Sequence, residues 1–423
     1  MLNCCLQTLS KSIFRGTLKV NYNLMLINRA INQNLLRFLV IVFFSILFIL
    51  CLNTCFAFAA KQSNDSSRLD TVTLKLKWKH QFQFAGYYAA LKKGFYQDAG
   101  LKVKIEEASD YTESTEAVLA GKADFGIGAS DLVVNRVKGQ PIVVLASIFQ
   151  HSPLVLLTKQ DKGINQIHDI VGKRVMIEPH SDDLFAYLKD EGISKNQLIL
   201  YPHYFDITPL MNNEVDAISA YLTDEIYLLK KQKISYNVFS PKSAGIDFYG
   251  DTLFTTEKQI REHPERVRKF LDASLRGWKY VFQNEQNMKD IIDLIYESYS
   301  KRHTREHLSY EAEKMRSFVI PEIVEIGYMY PGRWQHIAET YAKLGIIPQK
   351  FSLEGFIYNK IPKDYLQLYS LKIGVIIVVI ILSFVGLCSI ISACHPVSIY
   401  SAFISLLKKI YSAVISLLKK VKP

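Results

Sequence analysis

No cysteine occurs between residues 56 and 387, because Cys4, Cys5, Cys51, Cys55, Cys388 and Cys394 all fall in the terminal segments. The central body therefore has neither an internal disulfide nor a thiolate-ligated metal. Acids are missing from both ends. Residues 1–61 contain Lys11, Arg15, Lys19, Arg29, Arg37 and Lys61, and residues 371–423 contain Lys372, Lys408, Lys409, Lys419, Lys420 and Lys422, with no Asp or Glu in either stretch. The formal charge of +11 is thus carried by the ends, and the interval 62–370 is nearly neutral at −1. That distribution excludes a basic nucleic-acid face. The common catalytic patterns His-Glu-x-x-His, Gly-x-Ser-x-Gly and the phosphate-loop lysine motif are also missing. Gly126-Ile-Gly128 is a lone fragment that suits a tight strand-to-helix turn. His80, His151 and His203 are scattered and read as structural or solvent-facing.

What the ends do contain is apolar. Residues 38–60 and 373–394 carry no charged side chain. At about 1.5 Å per helical residue each is long enough for a hydrocarbon core of roughly 30 Å. At least one is expected to span a membrane. Ala57-Phe58-Ala59 is a small-x-small pattern suited to signal peptidase, so residues 1–60 are either a signal peptide or a retained signal anchor. Leu50 and Thr54, which precede Cys51 and Cys55, are not the small residues of a lipidation site. Basic residues flank both runs on their outer sides, which places both termini in the cytoplasm and residues 62–370 across the membrane. In a bacterial chain that compartment is the periplasm, with anchoring at the inner membrane. The tail 400–410 is repeated at 411–421, an 11-residue period that keeps one helix face in register. It is either an amphipathic basic helix on the inner membrane surface or a duplication without a role.

The body alternates between the periods of strand and helix. Leu74, Leu76 and Trp78 alternate as a half-buried strand, residues 84–92 have helical spacing, and Leu101, Val103 and Ile105 alternate again. Short buried strands are expected at 125–127, 142–149, 154–157 and 174–177, a helix near 182–190, and further strands near Ile199 and at 217–219. This is the pattern of a mostly parallel α/β sheet. A polar break at 159–163 suggests a first lobe of about 72–158 and a second of about 163–245. A return to the first lobe is expected at 251–255, so that lobe also takes in 251–350. Thr256 caps the next helix, with Gln259 three residues on, and His263-Pro264 opens another. Residues 351–370 read as a linker to the membrane. Trp78, Phe82, Tyr87 and Tyr88 follow the carboxyl end of the first strand, where open α/β sheets bind small molecules. They are either the walls of a ligand site or core.

Five separated motifs, Trp78-Lys-His-Gln-Phe-Gln-Phe-Ala-Gly-Tyr-Tyr88, Val118-Leu-Ala-Gly-Lys-Ala-Asp-Phe-Gly-Ile-Gly128, Ala146-Ser-Ile-Phe-Gln-His-Ser-Pro153, Ser243-Ala-Gly-Ile-Asp-Phe-Tyr-Gly-Asp251 and Gly327-Tyr-Met-Tyr-Pro-Gly-Arg-Trp-Gln-His336, carry a resemblance. They resemble the ABC-transporter substrate-binding family that also contains thiamine-pyrimidine-precursor-binding proteins and the fungal thiamine pyrimidine synthases. The similarity is greatest to the periplasmic sensor halves of bacterial membrane receptors. It implies an α/β, two-lobed type II periplasmic-binding-protein fold over residues 62–350, here with flanking transmembrane helices.

The resemblance also implies a site. Trp78, Tyr87 and Tyr249 would be ring partners of an aminopyrimidine, and Glu178 the acid that pairs with its amidine edge through two charge-assisted bonds. Phe82 adds a wall, and Asp131, Gln150, Tyr221 and Asp247 are further ligand-binding candidates. Neither a catalytic residue, a metal site nor a cofactor is expected. The leading expectation is a membrane-anchored periplasmic protein, or truncated sensor, that binds a small heteroaromatic solute. A thiamine-precursor pyrimidine is the example the resemblance suggests, captured for uptake with an ABC permease or for signalling with a receptor. About 29 residues follow the second apolar run, too few for an output enzyme. Two alternatives stand beside it. One is a synthase-like enzyme consuming pyridoxal phosphate with iron, whose relatives use a cysteine-rich motif that this body lacks. The other is a degenerate receptor acting only through protein contacts.

Overall fold

The computed structural model describes residues 69–109, 113–179, 181–203 and 206–359. The leader, both apolar runs, all six cysteines and the tandem repeat lie outside them. Among the described residues no helix is long and apolar enough to cross a membrane.

Among the described residues of the compact unit Ser66–Lys360, ten strands make two five-stranded sheets. The first sheet contains β1 (Asp70–Lys75), β2 (Leu101–Glu106), β3 (Phe125–Gly128), β4 (Ile142–Ser147) and, after a long excursion, β10 (Thr252–Thr256), in the order β2-β1-β3-β10-β4. The second contains β5 (Leu154–Lys159), β6 (Arg174–Met176), β7 (Ile199–Tyr201), β8 (Ala217–Tyr221) and β9 (Tyr236–Phe239), in the order β7-β6-β8-β5-β9. In each sheet the strand that enters from the other lobe runs antiparallel to its neighbours: β10 against β3 and β4, and β5 against β8 and β9. The chain therefore crosses between lobes twice, at 148–153 and 240–251. β1, β2 and β3 pair in parallel, as do β6, β7 and β8, and these strands aim their carboxyl ends at the cleft.

Two expectations change at the lobe boundaries. Residues 154–158 do not end the first lobe; they open the second, pairing with β8 and β9 along their length. All six residues of β5 are buried, as are all six of β4. A continuous apolar run says that a strand is covered on both faces, not which sheet it joins. The expected linker is also shorter. Phe356 is fully buried, Val144 N donates to Phe356 O (2.8 Å) and Tyr358 N donates to Val144 O (2.9 Å). Residues up to Tyr358 thus cover the open side of β4, which shields an apolar sheet edge.

Helices pack on both sheets. The helix Ala85–Lys92 crosses the helix Pro264–Gln283 at glycines: a Cβ on Gly277 would lie 2.1 Å from the Gly86 carbonyl oxygen, and one on Gly86 2.1 Å from Trp278. The Thr256 side chain accepts from Gln259 N at 3.2 Å, so the cap expected there is made.

Candidate functional site

Four loops leave the carboxyl ends of parallel strands and meet in the cleft. β1 runs on into Lys77 and Trp78, β3 into Ala129 and Asp131, β6 into Glu178 and Pro179, and β8 into Tyr221 and Asp224. They line two adjoining hollows that share Lys77, Trp78 and Glu178. The inner one is nearly filled, with a cavity volume of about 10 Å³, and is bounded further by Gln81, Gln83, Ser219, Tyr221, Asp224 and Glu225. The outer one has a cavity volume of about 40 Å³, with Ser114, Thr115, Gly128 and Asp131 on its wall.

Lys77 joins the lobes. Its Nζ donates to the Tyr221 hydroxyl at 2.7 Å and lies 3.5 Å from Glu178 Oε1. Tyr221 passes the bond on, donating to Asp251 Oδ1 at 3.2 Å, while Gln83 Nε2 donates to Asp251 Oδ2 at 2.7 Å. Burial alone would push the Lys77 ammonium down, but Tyr221, Glu178 and Asp251 together hold it well above its ordinary value. Burial pushes Asp251 up to about 6, against the pull of Lys77 and its hydrogen bonds. Asp183, behind Ser152, is likewise raised by burial to about 6.

Glu178 is 7% exposed, and its Oε1 makes no hydrogen bond. Its backbone N–H donates to Ser219 Oγ at 2.8 Å, which fixes the start of the loop that carries it. The carboxylate oxygen thus faces the chamber with a 3.5 Å ammonium neighbour as its nearest charge partner. The oxygen is ion-paired to Lys77 but makes no hydrogen bond, so a lone pair is left for a further donor such as a solute N–H. The Trp78 ring beside it tilts against His203 at 5.3 Å, and the Arg302 guanidinium lies 5.8 Å from its centroid.

The nine expected ligand residues separate into three places. Trp78, Asp131, Glu178 and Tyr221 line the hollows. Asp131 also accepts from Ala129 N (3.0 Å) and Asn135 Nδ2 (3.3 Å), which settles the turn after β3. Gln150, Asp247 and Tyr249 belong to the two crossings. Gln150 Nε2 donates to the carbonyls of Ser147 (3.1 Å) and Tyr328 (3.0 Å), and the Tyr249 hydroxyl accepts from Tyr330 N (3.0 Å). Asp247 pairs with His151 of the other crossing at 2.7 Å, and with Arg333 and Lys242. Against burial, those three partners hold its carboxyl below the ordinary value. Phe82 and Tyr87 sit in the first lobe's core, Tyr87 edge-on to Trp278 at 5.7 Å.

Residue patterns passed over Lys77, Gln81, Gln83, Asp224, Glu225 and Asp251. Lys77 sits in the alternation Lys75-x-Lys77-x-Lys79, which reads as the wet face of a strand and hides its place in the cleft. Asp251 ends the motif 243–251, and its placement under Tyr221 shows what it does.

A family model described as NMT1/THI5 like matches residues 81–288. A 4-amino-5-hydroxymethyl-2-methylpyrimidine phosphate synthase of Legionella pneumophila is 35% identical over 244 residues, covering 54% of this chain and 74% of the relative. The chain belongs to the NMT1/THI5-like family. The riboflavin-binding protein RibY of Chloroflexus aurantiacus is 25% identical over 241 residues, which is 55% of this chain and 68% of the relative. Among solved structures, the alkanesulfonate-binding protein SsuA of Xanthomonas axonopodis pv. citri superposes with a TM-score of 0.55 at 11% identity, covering 69% of this chain and 99% of that one. That likeness shows the fold, an α/β periplasmic-binding-protein architecture of two sheets.

Proposed function

We propose that this family member is a solute-binding protein whose lobes close on a small heteroaromatic ring with an amidine-like donor edge, a thiamine-precursor pyrimidine being the leading example. The observation that carries it is Glu178 Oε1, buried, ion-paired to Lys77 at 3.5 Å yet without a hydrogen bond, and beside Trp78 where residues of the two lobes meet. A carboxylate paired with N–H donors gives bonds roughly twice as strong as neutral ones, and the indole offers a flat apolar face. Trp78, Glu178, Tyr221 and Asp131 are the contact residues. Gln150, Asp247 and Tyr249 tune the hinge through the crossings, and Phe82 and Tyr87 support the wall from behind. Relatives named for a flavin and for a pyrimidine fit the ring preference. The body works in the periplasm, held at the inner membrane by residues 38–60, 373–394 or both. It passes solute to an ABC permease or reports it to a receptor.

The test is calorimetric titration with 4-amino-5-hydroxymethyl-2-methylpyrimidine, riboflavin and an alkanesulfonate. Binding of a ring, weakened about 10–100-fold in Glu178→Gln as expected for one charge-assisted contact, supports the reading. Tight alkanesulfonate binding unaffected by that change overturns it. So does turnover of pyridoxal phosphate with iron in the absence of any solute binding.

A further inference from the structure

Beside the inner hollow, which Asp224 itself lines, sits a cluster outside the four proposed solute contacts. Asp224 ends the β8 loop in the second lobe, while His303 and His307 belong to the first lobe, His303 just before and His307 within the helix Arg305–Val319. All three are buried, at 2%, 5% and 1% exposure. Their ligand atoms lie within 4.8 Å of one another. His307 Nε2 is 2.8 Å and His303 Nε2 3.6 Å from the same Asp224 oxygen, Oδ1.

We propose that Asp224, His303 and His307 form a binding site for a divalent transition cation that ties the two lobes together. Ligand atoms about 2.0–2.2 Å from a tetrahedral ion stand roughly 3.3 Å from each other, and the two measured separations bracket that value. Asp224 Oδ2 is buried and has no hydrogen-bond partner, so a second donor oxygen is available in the same carboxylate. Two imidazoles and one carboxylate suit zinc, iron or cobalt rather than magnesium or calcium, which take mainly oxygen.

The surroundings are arranged to hold the ligands in place. Thr304 Oγ1 accepts from His307 N at 3.3 Å, which sets the first helical turn, and the Tyr227 ring stacks on the His307 imidazole at 4.3 Å. Glu311 accepts from the backbone N–H groups of Phe82 and Gln83, and Glu225 from that of Tyr221. Those acids are therefore committed to backbone and leave Asp224 as the available carboxylate. Gln81 Oε1, 3.2 Å from His303 Nε2, is placed to act as a fourth donor on the chamber side. Because the donors come from both lobes, the site is complete only when the cleft is closed.

The test does not require a solute, so it stands apart from the proposed solute reading. The full chain, with all six cysteines changed to serine to remove competing thiolates, is stripped with a chelator and titrated with Co2+ and then Zn2+. The expected result is one Co2+ per chain with visible ligand-field absorption, displaced by Zn2+. Affinity should fall by at least the 10–100-fold that loss of even an outer partner costs, in His307→Gln and in Asp224→Asn. Hydrogen exchange should slow in both the 221–231 segment and the 305–319 helix on metal addition. Absence of stoichiometric Co2+ absorption from the parent chain overturns the proposal, whatever the variants do. Wild-type affinity in both variants overturns the ligand assignment, with His303→Gln replacing any variant whose circular dichroism shows it unfolded. Slowed exchange on one side only overturns the tie between lobes.

Discussion

Replacing Lys77 with methionine removes the ammonium that bonds Tyr221, pairs with Glu178 and is attracted to Asp251, while keeping most of the aliphatic volume. The Lys77 side chain is 15% exposed and that of Glu178 9%, so the charges are largely shielded from water. Breaking a buried ion pair by deleting one partner costs about 3–5 kcal/mol, because the remaining charge is left uncompensated. The loss should depend on pH, and its sign follows from Asp251. That carboxyl already stands at about 6 because burial outweighs the pull of Lys77. Without the ammonium it rises further. A carboxyl whose folded pKa exceeds its unfolded value binds more protons when folded, so it weakens the fold as pH rises through that interval. The gap between wild type and variant should therefore widen from pH 5 to pH 8. Urea denaturation of the body 66–360, followed by tryptophan fluorescence, measures it. A gap below about 1 kcal/mol, the worth of an exposed pair, or one that stays flat with pH, refutes the view of Lys77 as the electrostatic keystone of the closed cleft.

Three other perturbations probe separate parts of the fold. In Asp251→Asn the acid's own pH term disappears: wild type should lose about 3 kcal/mol from this group between pH 4 and pH 7, two pK units at about 1.4 kcal/mol each, and the variant should not. Comparing unfolding free energies at the two pH values isolates it, since Asp183 contributes the same slope to both proteins. Gly277→Ala places a Cβ 2.1 Å from the Gly86 carbonyl and 2.8 Å from Ala90 Cβ, so the two helices must part, at about 1–3 kcal/mol. A melting temperature unchanged from wild type would show that the crossing is looser than described. Thr256→Ala loses the bond from Gln259 N and should cost about 1 kcal/mol in the same assay, with Thr256→Ser restoring most of it.

Much of the fold was legible in the residues because periodicity reports local burial. The strand at 125–128, the helix at 182–190, the return strand at 252–256 and the Thr256 cap all follow from spacing and capping chemistry that act over a few residues. The same locality explains what was misplaced. Leu154–Lys159 reads as buried whichever sheet receives it, and only pairing with β8 and β9 assigns it to the second lobe. Phe356 looks like part of a tether until its contact with Val144 is seen.

By itself the amino-acid order determined that the body is an alternating α/β structure without disulfides, nearly neutral between basic ends, and related by motif to solute-binding proteins. The family resemblance added Trp78 and Glu178 as candidate partners for a ring. Tertiary structure alone decided which of nine candidates share a chamber. Tyr87 and Phe82 turn into the core, Asp247 and Tyr249 serve the crossings, and Lys77, 144 residues from Tyr221, becomes the link between lobes. The reason is that an ammonium's role depends on its desolvation and on which acids surround it, and both come from chain segments far apart in the sequence.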